Sequence, residues 1–203
     1  EFINLNINGT NKGLYVIEEV FSNNLLEKNK RRAGPIFGLH EKFSTNFEIS
    51  KLDVYQSNYW NRISNQEIFL TAKAKIASLK DRDIPLNEIF DIKKWANYFA
   101  ISDLLGTQHG YHAKSVKMYY NPISGLIEPI PFDGHKIPHY NYHESIKEIY
   151  QKINLSSYDE ALTKNTWLKY FFLNKDESIN IPFYREYLKS LKRVTNKNFL
   201  DLF

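Results

Sequence analysis

The amino-acid sequence predicts an α+β protein in which a small antiparallel-sheet lobe precedes a larger helical lobe. Three observations carry this expectation. Apolar residues alternate with Asn at the start, and the chain turns back through Asn8-Gly9, the pattern of a two-stranded hairpin. A strong helical stripe lies between Asp91 and Gly106. After it, an aromatic strand, a turn and a second strand run from Val116 to Ile130 and stop just short of Asp133. The boundary is expected near residue 50, with 1–50 as the remainder of the small β-rich lobe and 51–203 as the helical lobe that carries the second hairpin.

Taken in order, Phe2 to Ile7 sets Ile3, Leu5 and Ile7 against Asn4, Asn6 and Asn8, the period of a half-buried strand. Gly13 to Val20 is the returning strand, with Tyr15 and Ile17 on one face and Leu14 and Val16 on the other. Two isolated strands bury too little to be stable. The sheet of this lobe is therefore expected to be incomplete, with further strands upstream of Glu1, and the chain to be a fragment or processed product. Phe21 to Glu27 reads as a short helix, Ile36-Phe37 as a brief strand, and 42–61 as loop with short helical turns. Helices are expected at Gln66–Leu79 and at Asp91–Leu105, the latter with Asp91 as N-cap and Gly106 as stop signal. Ile92, Trp95, Ala96 and Phe99 form its stripe, and Ile101, Leu104 and Leu105 widen it, so burial on more than one side is expected. Further helices are expected at 143–153, 157–173 and 183–194.

Composition narrows the classes. A hydrophobic fraction of 42%, with 14 Tyr and 14 Phe, excludes disorder. No apolar run approaches the roughly 18 residues a membrane span needs. The 27 basic residues stand against 23 acidic ones and are spread along the chain. Only Lys28 to Arg32 is a dense basic cluster, and without an accompanying motif it does not support nucleic-acid binding. The absence of Cys excludes disulfides and thiolate metal sites.

The second hairpin is the functional focus. Asn121-Pro122-Ile123-Ser124-Gly125 supplies the turn, and Pro129 and Pro131 cannot donate to a ladder, so the second strand belongs at an edge or leaves the sheet before Asp133. Gly134 permits a sharp turn behind that carboxylate. An aspartate delivered by a hairpin and followed by Gly is how protein kinases mount their magnesium ligand. The plainer alternative is a surface hairpin whose Asp133 caps the next segment. Just upstream, the polar loop Thr107 to Ser115 separates a buried helix from the hairpin, a setting in which chemistry concentrates.

These motifs, in their order, resemble the CotH (spore coat protein H) kinase-like family. The matching residues are Gly13, Tyr15 and Glu19; Leu104-Leu105-Gly106 at the end of the long helix; the Tyr119-Tyr120-Asn121-Pro122 turn; and Glu128 to Asp133, with Phe132 in place of Trp. The Asp133-Gly134-His135 ending looks like that of a bacterial branch of the family. The resemblance implies an atypical, two-lobed protein-kinase-like fold that binds ATP with Mg²⁺ and transfers a phosphoryl group to Ser or Thr of a protein substrate. It also implies a spore-coat, envelope or secreted setting. By position, Asp133 is the implied metal ligand, with Glu19 at the small-lobe motif.

Departures from the family pattern shape the expectations. Thr107 to Tyr120 contains neither Asp nor Asn. His109 stands where active relatives carry the aspartate base, and Ser115 where they carry an asparagine metal ligand. A small-lobe lysine is replaced by Gly38, which leaves Arg31 and Arg32 as substitute phosphate contacts. His109 is then the expected general base, since imidazole titrates near neutral pH. Two other readings stand beside this one. One is a pseudokinase that keeps the fold and the nucleotide without transfer. The other is a metal-dependent hydrolase built on His109, His112, Asp133, His135 and His139.

Overall fold

The computed structural model describes residues 2–39, 52–79, 82–111, 115–134 and 166–201. Across them the chain is mixed α and β, with two small antiparallel sheets and surrounding helices, the coarse class the sequence predicts. The helices expected over 143–153 and the first part of 157–173 lie outside the described residues.

The first sheet is a hairpin of β1 (Phe2–Ile7) and β2 (Thr10–Val16). Asn8 and Gly9 adopt φ of 50° and 80°, the left-handed pair that matches the twist of the strands they join. The turn closes at once, so β2 starts at Thr10 rather than Gly13 and ends at Val16 rather than Val20. A register shift after Leu5 leaves Lys12 between the paired residues Asn11 and Gly13.

The second sheet runs in the order β4 (Leu52–Val54), β3 (Ile36–Leu39), β5 (Lys117–Asn121), β6 (Leu126–Ile130), with every neighbouring pair antiparallel. Strands from both sides of residue 50 share it. β6 is an edge strand, which is where Pro129 can sit without breaking a ladder. β4 falls in the segment read from sequence as loop, because three residues are too few to display a period of two. Gly34 precedes β3 at a crowded crossing, where an added Cβ would lie 2.2 Å from the Tyr120 carbonyl oxygen.

One face of this sheet supplies Phe37, Leu39, Met118, Tyr120 and Ile127 to the main core. The opposite face holds Ile36 and Tyr119, which form a smaller cluster with Leu26 from α1 (Asn23–Lys28). Among the described residues, four further helices precede the hairpin: α2 (Ser57–Trp60), α3 (Ile63–Ser78), α4 (Leu86–Ile89) and α5 (Ile92–Leu105). α5 has the expected ends. The Asp91 side chain accepts the Lys94 N–H at 3.2 Å, and Gly106 closes the helix at φ 67°. After the hairpin come α6 (Lys169–Phe172), α7 (Ile181–Val194) and α8 (Lys197–Leu200). α7 buries Phe183, Tyr187 and Val194, and the Tyr187 hydroxyl donates to Asp103 Oδ2 on α5 at 2.8 Å.

Trp95 sits at the centre of this packing with no exposed surface. The rings of Phe90, Tyr98, Phe99, Trp167 and Phe171 surround it at centroid distances of 5.0–6.0 Å, several in the edge-to-face geometry that aromatic quadrupoles favour. Its Nε1–H donates to the Ile127 carbonyl oxygen at 2.9 Å, and the Asp91 N–H donates to the same oxygen at 3.0 Å. Both lone pairs of one β6 carbonyl therefore bind the first turn of α5, which fixes the hairpin on the helix. Replacing Trp95 by Ala removes the ring and this bond together. The expected loss is about 3–5 kcal/mol of unfolding free energy in urea denaturation, and a loss under about 1 kcal/mol would contradict the central role given to this side chain.

Candidate functional site

β6 ends at Ile130, and Pro131-Phe132 carry the chain out of the sheet to Asp133. Asp133 has φ 52°, a left-handed conformation that Asp tolerates better than most residues but that still costs of order 1 kcal/mol. Strain of this kind persists where the surroundings over-determine it, and here they do. The Ser115 hydroxyl donates to Asp133 Oδ2 at 2.9 Å, His109 Nδ1 lies 3.1 Å from the same oxygen, and the Ser115 hydroxyl lies 3.2 Å from His109 Nδ1. His109 Nδ1 is also 3.1 Å from the Asp133 carbonyl oxygen. With its proton on Nδ1 the imidazole donates to Asp133 and keeps a lone pair on Nε2.

The loop bearing His109 is seated by its own backbone. Gly106 reverses the chain, the Thr107 N–H returns to the Ser102 carbonyl at 2.8 Å, and a 3₁₀ turn, Gln108–Tyr111, presents the imidazole. Gly110 makes the close approach possible. A Cβ there would sit 2.8 Å from the Phe132 carbonyl oxygen and 3.0 Å from the Tyr98 hydroxyl.

Asp133 and Gly134 form one end of a cleft of about 550 Å³ whose floor includes Tyr98 and Ser102 of α5 and whose far end holds Arg31 and Lys94. The Tyr98 side chain lines this cleft, and its hydroxyl meets no hydrogen-bonding partner among the described residues, although the residue is only 8% exposed. Burial pushes its pKa well above the usual phenol range, so it stays a neutral donor. At the far end Glu128, 1% exposed, takes Lys94 Nζ on Oε1 at 2.8 Å and Asn121 Nδ2 on the same oxygen at 2.8 Å, while the Arg31 guanidinium pairs with Oε2. Arg31 also lies over the Tyr119 ring, 5.5 Å from its centroid.

The site residues expected from sequence divide accordingly. Asp133, His109 and Ser115 come together within hydrogen-bonding distance, and Arg31 lines the same cleft. Glu19 does not join them: it is solvent-exposed and pairs with Lys28 at 2.8 Å. Arg32 lines a separate depression with Glu67, Thr71 and Pro122. Of the alternative hydrolase ligands, His112, His135 and His139 lie outside the described residues, and among the described residues no three His, Cys, Asp or Glu side chains gather as a metal cage.

Lys94, Glu128 and Tyr98 line the cleft and Lys117 lies against Phe132, and none of the four was expected as a site residue. For two of them a signal was legible, since a Lys and a Glu facing each other's strands inside an otherwise apolar and aromatic hairpin are unusual interior residues. Lys117 is 6% exposed, and burial lowers its pKa while Asp53 and Asp133 act to raise it.

Neither a family model nor a curated protein matches the chain. No helix among the described residues is long and apolar enough to cross a membrane.

Glu128 is the testable anchor of the far end. Glu128→Gln withdraws the charge shared by Arg31 and Lys94. Both cations are partly exposed, so the expected cost is about 2–3 kcal/mol, below the roughly 3–5 kcal/mol of a fully buried pair. Denaturation of the variant checks this, and unchanged stability would mean that solvent already satisfies the two cations.

Proposed function

We propose that the chain is a CotH-like atypical protein kinase that uses ATP and Mg²⁺ to phosphorylate Ser or Thr of a protein substrate. The observation that carries this reading is the meeting of Asp133, Ser115 and His109 where the hairpin opens into the cleft.

The donor set suits the metal. Mg²⁺ takes hard oxygen ligands and commonly only one or two from protein, leaving positions for phosphate and water. A carboxylate and a hydroxyl held 2.9 Å apart are the same two donor types with which P-loop enzymes hold their Mg²⁺. Asp133 and Ser115 are the residues that would hold it, and the ion would supply charge neutralisation on the transferring phosphoryl group.

The remaining steps fall to the side chains. Asp133 orients His109 through Nδ1, by its carboxylate and independently by its carbonyl oxygen, so the tautomer is kept when the carboxylate is engaged elsewhere. Nε2 is then the atom that accepts the proton of the attacking hydroxyl. Tyr98 offers inside the cleft an O–H that no described residue takes, and Arg31 brings a guanidinium suited to phosphate oxygens.

A second reading, a nucleotide-binding pseudokinase, draws on the lack of Asp or Asn between Thr107 and Tyr120. The two readings separate in one experiment with labelled ATP, Mg²⁺ and Ser-rich protein. The kinase reading expects transfer by the native chain, a fall of about 10²–10⁴ in rate for His109→Gln with nucleotide binding kept, and loss of Mg²⁺-dependent nucleotide binding for Asp133→Asn. Binding without transfer under any metal concentration selects the pseudokinase, and the absence of both transfer and binding rejects both readings.

A further inference from the structure

The face of the second sheet turned away from the main core carries an unusual row. Asp53 on β4 pairs with Gly38 on β3, Gly38 with Lys117 on β5, and Lys117 with Ile130 on β6, so the four lie side by side across the sheet. Gly38 has no side chain, and the lysine fills the space above it. Lys117 Nζ is 3.5 Å, and Asp53 Cβ 3.7 Å, from the point a Gly38 Cβ would occupy. The ammonium also lies 5.2 Å from the centroid of Phe132, the residue that delivers Asp133.

The arrangement is costly as architecture. Glycine weakens a strand interior and there commonly marks close approach by another group. An ammonium in a nearly closed position loses hydration that an apolar residue would not have had to lose. Neither residue belongs to the main core on the opposite face, with Phe37, Met118 and Tyr120, or to the buried members of the smaller cluster on their own face, Leu26, Ile36 and Tyr119. Together they place a cation on β3 that comes from β5, beside Asp133.

We propose that Lys117 is the phosphate-binding cation of the nucleotide site, reaching over Gly38 to occupy the place a lysine rooted on β3 would otherwise fill. The proposal rests on the kinase reading above and deepens it. Lys117 binds the phosphate oxygens of a nucleoside triphosphate, while Asp53 on the far side of Gly38 opposes its charge and limits where the ammonium can settle.

The test is a calorimetric ladder of ATP, ADP and AMP, with Mg²⁺, on the native chain and on Lys117→Met. A charge-assisted contact predicts that the variant loses about ten- to a hundredfold in ATP affinity, much less in AMP affinity, so that the ladder flattens. A purely structural lysine would lower all three alike or none. An acyl-phosphate derivative of ATP on the native chain gives a reading that does not depend on the variant folding. Its acyl carbon is attacked by the amine lying next to the bound phosphates, forming an amide and releasing the nucleotide. The expected result is acylation of Lys117, mapped by mass spectrometry and suppressed by excess ATP. A retained ladder in Lys117→Met, or ATP-protected labelling of other lysines with Lys117 unmodified, overturns this assignment and leaves the kinase reading in place. Failure of the native chain to bind any of the three nucleotides overturns both.

Discussion

The carbonyl of Ile127 and the carboxylate that follows it hold the two halves of the site together. One oxygen accepts from the Asp91 backbone and the Trp95 indole, and the next residue, Glu128, gathers Lys94, Asn121 and Arg31. These bonds join the first turn of α5, the second hairpin and the segment after α1. A buried carboxylate loses several kcal/mol of hydration and is tolerated only when its oxygens are well partnered. Here the partners come from three separate segments, so Glu128 is satisfied only when all three are docked together. The position of Asp133, five residues along the same strand and its exit, follows from that docking.

Three local constraints then aim the carboxylate. β6 stops before Pro131, Asp133 takes a left-handed backbone, and Gly110 lets the His109 loop close against the Phe132 carbonyl. Ser115 and His109 compensate the strain by binding the carboxylate and its carbonyl. A floor of apolar and aromatic side chains supports these groups from α5, so the polar cluster stands on rigid secondary structure rather than on loops alone.

Much of this was legible in the chain. The Asp91 cap, the Trp95 stripe and the Gly106 stop defined α5, because helical spacing over fourteen residues is a long signal. Asn8-Gly9 and the Asn121 to Gly125 turn defined both hairpins, and the prolines of β6 foretold its edge position. What stayed hidden depends on pairing between distant segments. β4 is only three residues long, and its existence is decided by Gly38 and its neighbours rather than by its own pattern. Arg31 and Arg32 looked equivalent as one basic cluster, yet consecutive side chains leave the chain in different directions, and only Arg31 reaches the cleft. Gly38 read as a lost lysine, and the lysine lying above it belongs to a strand that no local window connects with it.

The central claim, that Asp133 and Ser115 hold a divalent ion bound to nucleotide, is tested most directly with Mn²⁺ as a paramagnetic stand-in for Mg²⁺ in ¹⁵N-edited spectra of the native chain. Mn²⁺ with ATP is expected to broaden the amide signals of Ser115, Asp133, Gly134 and the His109 loop first, and Asp133→Asn to abolish the effect. Broadening centred on another part of the chain, or broadening that survives in Asp133→Asn, would contradict it.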